Sequence, residues 1–284
     1  MRGKRVQSQV RMHEELASSI PPIRRARGYR LYDHRGRRYL DLWQNGGRTL
    51  LGHRSLKLMS FLKDLMSRGL LADLPALQSR HLEKALAGHL PGYPWVRILR
   101  SPEQALHLAS LFLGRELASG DVPDPALGQP GEAAEVAWWR PLLDYPPAGP
   151  RQPRVLLPLL PFGAAGAPAA ACFCSAPPEG FPASETISPV LLAGAARCLH
   201  DLRRYVVPGW FRDDLLEGCP GWKQRGVYLC AECGPERYPQ VFSAFLAAGV
   251  LLNPGYPGPS ILPAEASAGE LAKMIQLFRQ NPGE

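Results

Sequence analysis

Apolar and polar residues alternate along Tyr29–Asp33 and again along Arg38–Trp43, and the two runs flank His34-Arg35-Gly36. Alternation is the period of a half-buried strand, and a glycine-containing break between two such runs predicts a hairpin. Downstream the period changes. Leu56, Met59, Leu62, Leu65 and Met66 recur at helical spacing within Ser55–Arg68, which predicts a helix buried on that face and stopped by Gly69. Leu77–His89 reads as a second helix, Trp95–Leu99 as a strand and Pro102–Ala118 as a third helix. Ala171–Ser175 is a short apolar strand, and Pro189–Tyr205, entered through Ser188, is the longest helical pattern. The last part predicts strand Val227–Ala231, helix Glu236–Ala248 stopped by Gly249, strand Val250–Leu252 and helix Gly269–Gln280. Ser267 and Glu270 are spaced as a capping box at the start of that last helix. Helices alternating with short strands predict an α/β chain, a mixed sheet flanked by helices.

Between Gly120 and Val190 the periodicity fades. Fifteen of the 30 prolines fall there, and Asp121–Glu132 and Tyr145–Pro153 read as surface loops. The pair Trp138-Trp139 in this stretch reads either as cover for a subunit interface or as core of the single chain. With 284 residues, 45% of them hydrophobic, the chain can bury one large core or two smaller ones.

Net charge is confined to one end. Residues 1–38 hold 11 Lys/Arg against 3 Asp/Glu, which accounts for the whole net charge of +8, while the remainder balances 22 against 22. Such an arm suits an anionic surface, but no aromatic stacking platform or nucleic-acid motif accompanies it, so nucleic acid is not an expected partner. No apolar run reaches the length of a membrane span and none follows Met1–Arg5, so a membrane is not expected either and the reading is cytoplasmic. The six cysteines are then expected as thiols. Cys230 and Cys233 have a zinc-compatible spacing and Cys172 and Cys174 could supply a second pair, but these cysteines fall in or beside apolar strands where cysteine acts as a small core residue. No metal site is expected. The seven histidines are scattered, and His53 reads as structural.

Several segments resemble class III aminotransferases of pyridoxal-phosphate fold type I, and glutamate-1-semialdehyde aminomutase-like proteins most closely. Pro22–His53 resembles that family's entry, G-x-x-L-x-D-x-D-G-x-x-Y-x-D followed by Leu-Gly-His. Pro94–Ser101 resembles the strand that leads into its phosphate loop, and Ser184–Leu202 the helix after its cofactor lysine. Gly226–Gln280 resembles its C-terminal small domain. The resemblance implies an α/β aminotransferase-like fold with a truncated large domain and a C-terminal α+β small domain. The divisions expected are an arm and hairpin over residues 1–54, a reduced large domain over 55–208 and the small domain over 209–284. It also implies a homodimer, with the basic arm lying across the partner.

Three departures bear on chemistry. Arg154–Gly163 resembles the lysine segment K-A-x-G-G-G-x-P-x-G. Aligned on Pro161 and Gly163, it puts Arg154 at the Schiff-base position, and a guanidinium is neither deprotonated nor nucleophilic. No lysine stands between Lys84 and Lys223. The phosphate loop reads Ser101-Pro102-Glu103-Gln104-Ala105, where proline removes a donor and Glu103 opposes an anion. Ser101 and Gln104 are what the resemblance leaves of a cofactor-binding loop, and by themselves they make a helix cap. Finally, the interval from Ser101 to Arg154 is short, and the family keeps there its stacking aromatic and the aspartate that pairs with the pyridine nitrogen. The expectation is an aminotransferase-like protein without catalysis and without bound cofactor, serving binding or assembly with itself or with an intact aminotransferase subunit. The alternative is an active pyridoxal-phosphate-dependent aminotransferase or aminomutase that uses Lys223.

Overall fold

Three serines open helices where the sequence puts them. Ser55, Ser101 and Ser267 each accept a first-turn N–H, and Ser101 with Gln104 and Ser267 with Glu270 form complete capping boxes. The fold comes from a computed structural model that describes residues 2–53, 55–128, 134–144, 152–208, 210–211 and 215–281, with side chains from residue 10 onward. It divides into two compact units, Met1–Arg54 with Val206–Glu284, and Ser55–Tyr205.

In the first unit, α1 (Arg2–Ser18) precedes β1 (Ile23–Arg27), β2 (Arg30–Asp33) and β3 (Arg38–Asp41). The basic arm is therefore helical. Its end packs into its own unit, with Leu16 buried and His13 beside Gly255. The predicted hairpin is β2–β3, antiparallel with Arg30 opposite Leu40. Its turn is closed by the buried Asp33, whose Oδ1 accepts the N–H groups of Arg35 and Arg37 at 2.9 and 2.8 Å, and Gly36 takes the left-handed φ of 82° the turn requires. After the second unit the chain returns as β8 (Trp222–Arg225), β9 (Tyr228–Ala231), α6 (Tyr238–Ala247), β10 (Val250–Leu251), β11 (Ser260–Ile261) and α7 (Ala268–Gln280). β10 joins β3 in parallel, giving the order β1-β2-β3-β10, and a second sheet runs β11-β9-β8. Trp222, Phe245 and Phe278 pack ring against ring with centroids 4.6–5.6 Å apart, tying β8 to α6 and α7.

The second unit holds α2 (Leu56–Ser67), α3 (Leu77–His89), β4 (Trp95–Leu99), α4 (Pro102–Leu113), β5 (Val136–Trp139), β6 (Val155–Pro158), β7 (Ala169–Phe173) and α5 (Pro189–Leu202). Its sheet runs β4-β7-β6-β5, with β7 antiparallel to both neighbours and β5 parallel to β6. Leu99, Val155, Leu157, Ala171 and Phe173 pack against Ala105, Leu108 and Ala109 of α4. Residues at alternate positions, Ile98, Leu156 and Cys172, are buried as well, so the sheet is covered on both faces.

Two expectations are corrected and two open points are filled in. α4 ends at Leu113 rather than Ala118, because Gly114 takes a left-handed φ of 66° and stops it. On α2 only Leu65 of the five predicted face residues is buried, while Leu56, Met59 and Met66 are exposed. The proline-rich stretch holds, besides the expected β7, two strands that no pattern announced, β5 between the two predicted loops and β6 after them; 129–133 and 145–151 lie outside the described residues. Trp139 is buried within β5 and its ring lies 5.9 Å from that of His89, so the tryptophan pair belongs to the core of this unit.

Candidate functional site

Trp95 and Val155 both stand opposite Phe173, and Val96 and Leu156 both stand opposite Cys172. β4 and β6 therefore run in step on either side of β7, and β5 runs parallel to β6. The carboxyl ends of these three strands share one edge of the sheet, where α/β folds place their ligands. Ser101–Gln104 leaves β4 at this edge, and Leu159–Gly163 leaves β6 there.

The Ser101 loop is closed by the chain itself. Ser101 Oγ accepts the N–H of Gln104 at 3.3 Å, and Gln104 Oε1 accepts the N–H groups of Arg100 and Ser101, each at 3.1 Å. Gln104 Nε2 donates to Glu185 Oε1 at 2.8 Å, and the N–H of Arg100 donates to Glu185 Oε2 at 2.8 Å. Glu185 is held in turn by its own N–H to Ile98 O at 2.8 Å, while the N–H of Ile98 donates to Ser184 Oγ at 3.0 Å. The segment before α5 thus lies along β4 and delivers a carboxylate to the start of α4. A phosphate dianion here would meet a proline without an N–H, a first-turn donor already taken and the carboxylates of Glu103 and Glu185. These residues do not fit the phosphate of pyridoxal phosphate.

Arg154 is elsewhere. It precedes β6 and so lies at the opposite edge of the sheet from Ser101. Its guanidinium sits over the ring of Phe112, 5.2 Å from the centroid, and pairs with Glu135 at 3.5 Å. Phe112 is in the last turn of α4 and Ser101 caps the first, about 16 Å apart along the helix axis. Arg154 thus stands a strand's length away from the Ser101 loop, with its guanidinium turned to Phe112 and Glu135. The residues that β6 carries to that edge, Leu159-Leu160-Pro161-Phe162-Gly163, contain no lysine either. Leu160 and Phe162 are buried, the latter packed directly on Gly194 of α5.

Lys223 lies in β8 of the first unit, opposite Cys230, and its ammonium pairs with Glu232. Asp144 is exposed. Beyond β5, Arg140 instead forms a bidentate pair with Asp124, at 2.6 and 2.5 Å. Cys172, Cys198, Cys219, Cys230 and Cys233 are buried thiols, Cys174 is exposed, and burial pushes the Cys198 thiol up to about 12. Among the described residues no group of three or more His, Cys, Asp and Glu converges as a metal site. His53 is structural, its Nε2–H donating at 2.6 Å to Asp41 Oδ2, while Asp41 Oδ1 accepts the N–H groups of Trp43 and Gln44. This pair pins a loop in which Gln44 and Asn45 both take left-handed φ, 47° and 50°. Sequence reasoning missed Glu185, whose only local signal was its place between Ser184 and Thr186 ahead of a helix. Among the described residues no helix is long and apolar enough to cross a membrane.

No family model matches the chain. It is 28% identical over 299 residues to an uncharacterized protein of Treponema pallidum (strain Nichols), covering 88% of this chain and 91% of that one. It is 31% identical over 114 residues to a glutamate-1-semialdehyde 2,1-aminomutase of Desulforamulus reducens, a match that spans 39% of this chain and only 26% of the aminomutase. Among solved structures, an omega-transaminase from Sphaerobacter thermophilus superposes with a TM-score of 0.65 at 13% identity, over 96% of this chain and 97% of that one. The chain thus has the fold of class III, fold type I aminotransferases in a shortened form, and over part of its length its sequence is similar to glutamate-1-semialdehyde aminomutases.

Proposed function

We propose that this chain is an aminotransferase-like protein that has lost pyridoxal-phosphate-dependent catalysis and serves as a binding or assembly protein. One observation carries the reading: from Ala85 to Trp222 there is no lysine, so neither the Ser101 loop nor any strand end beside it has a Schiff-base donor. It is supported by Glu185, which occupies the loop with an internal carboxylate, and holds whichever residue is aligned with the family lysine. The assembly expected is a homodimer. Leu56, Met59 and Met66 on α2, with Leu71, Leu74 and Leu77 after it, are all exposed, and a symmetric partner is the commonest cover for such a surface. An intact aminotransferase subunit is the other partner of matching fold.

The alternative is an active aminotransferase or aminomutase that recruits Lys223. It draws on the similarity to structures that include a transaminase with pyridoxal phosphate bound. Against it, Lys223 is exposed and engaged by Glu232. Equilibrating the protein with excess pyridoxal phosphate, dialysing and recording the absorbance tests the choice. The proposal expects no retained internal-aldimine band, and a retained stoichiometric band would favour the alternative.

A further inference from the structure

Gly88 stands in the last turn of α3, where glycine costs a helix about 1 kcal/mol relative to alanine. With no Cβ in the way, Nη2 of the exposed Arg203 rests directly against Gly88. Arg203, at the end of α5, lays its guanidinium across α3 at that point. Lys84 lies one turn earlier on the same side of α3, and both cations line a groove of about 920 Å³ bounded by α2, α3 and α5. The volume falls within the roughly 300–1,000 Å³ typical of small-molecule sites. Every wall of the groove belongs to the second unit.

The floor is apolar, made by Phe61, Leu65, Ala85, Ala193 and Ala196, and no aspartate or glutamate lines it. Arg197 at the rim is paired with Asp201 at 3.1 Å. Lys84 and Arg203 enter no ion pair among the described residues. The ends of α3 and α5 contribute about −0.5 each, less than the three fixed cations together. Two cations lining one groove, with an apolar trough beside them, match a ligand that is charged at one end and greasy along the rest.

We infer that this groove binds a small amphiphile. Its anionic head, a phosphate or carboxylate, rests between Lys84 and Arg203, and its apolar body lies on Phe61, Leu65 and Ala193. The inference does not depend on the loss of catalysis.

Calorimetry with octyl phosphate at low ionic strength, with octyl glucoside and inorganic phosphate as controls, tests it. Octyl phosphate should bind the full chain at one to one, and Lys84→Ala with Arg203→Ala should weaken it at least tenfold. Lys84→Ala and Arg203→Ala singly should each weaken it severalfold. No binding at millimolar octyl phosphate, affinity unchanged in these variants, or equal affinity for octyl glucoside would overturn the inference. Inorganic phosphate binding as tightly as octyl phosphate would overturn it too, since the apolar trough would then contribute nothing.

Discussion

The guanidinium of Arg154 lies over the ring of Phe112, at the far end of the helix that Ser101 caps. Arg154 thereby covers the last turn of α4 and pairs with Glu135, a packing role for a cation beside an aromatic face. Arg154→Lys should consequently create no transaminase activity and no cofactor adduct. Its effect should be a loss of stability of roughly 1 kcal/mol or less, as for an exposed cation–π contact, read by urea unfolding. An aldimine band gained by this single change would show that the chain passes the lysine position near the cofactor after all.

The Ser101 cap makes a second prediction. Ser101→Ala should cost about 1 kcal/mol, the usual loss for a good N-cap, and phosphate should not alter that cost. If millimolar phosphate raised the melting temperature by several degrees and Ser101→Ala removed the rise, the loop would be an anion site despite Glu185.

The hairpin, the Ser101 and Ser267 caps and most helices were legible because their determinants are local: alternation around Gly36, or a serine three residues before Gln104 or Glu270. β5 and β6 were not. Val-Ala-Trp-Trp and Val-Leu-Leu-Pro are apolar at every position and buried at all but the half-buried Trp138, so they show no alternation, and surrounding prolines look like loop. That omission bears on the candidate site. Pro161 and Gly163 can be matched to a family motif without knowing that β6 starts just after Arg154, and the strand start decides which edge of the sheet a residue reaches. Glu185 meets Gln104 across 81 residues of chain, a pairing no local pattern encodes. The exposed side of α2 was misread because helical spacing marks apolar residues without saying whether anything packs on them.

Arg30 and Glu270 make the pH prediction. Arg30 Nε and Nη2 donate to the two oxygens of Glu270 at 2.9 and 2.6 Å, and these bonds hold the carboxyl down at about 2 from its ordinary 4.5. A carboxyl whose pKa falls on folding stabilises the protein above its unfolded pKa and loses that contribution as pH drops through the folded one. Stability should therefore decline between about pH 4.5 and pH 2 through this pair. Glu270→Gln keeps the capping box with Ser267 but removes the charge. It should lower stability at pH 7 by roughly 1–3 kcal/mol, the range for hydrogen bonds to charged groups, and flatten that part of the acid profile.

Gly194 makes a packing prediction. A Cβ there would run into the buried ring of Phe162. Gly194→Ala should cost roughly 1–3 kcal/mol as overpacking, even though alanine favours a helix. A neutral or stabilising result in thermal unfolding would mean the ring has room to move.

Assembly is tested by light scattering at tens of micromolar, where a dimer is expected. Leu56 and Leu77 are 68% and 67% exposed in the single chain. Replacing Leu56 and Met59 together by aspartate should give a folded monomer if this surface is the interface. A clean monomer from the unaltered chain would remove the homodimer and make an intact aminotransferase subunit the next partner to test.

The central claim, that no lysine of this chain serves as a Schiff-base donor, is tested most directly by borohydride trapping. The protein is incubated with a modest excess of pyridoxal phosphate, reduced, and mapped by mass spectrometry. The account predicts only scattered, substoichiometric labelling of exposed lysines. A single lysine labelled at one to one, Lys223 above all, would contradict it and make the chain a pyridoxal-phosphate enzyme of new design.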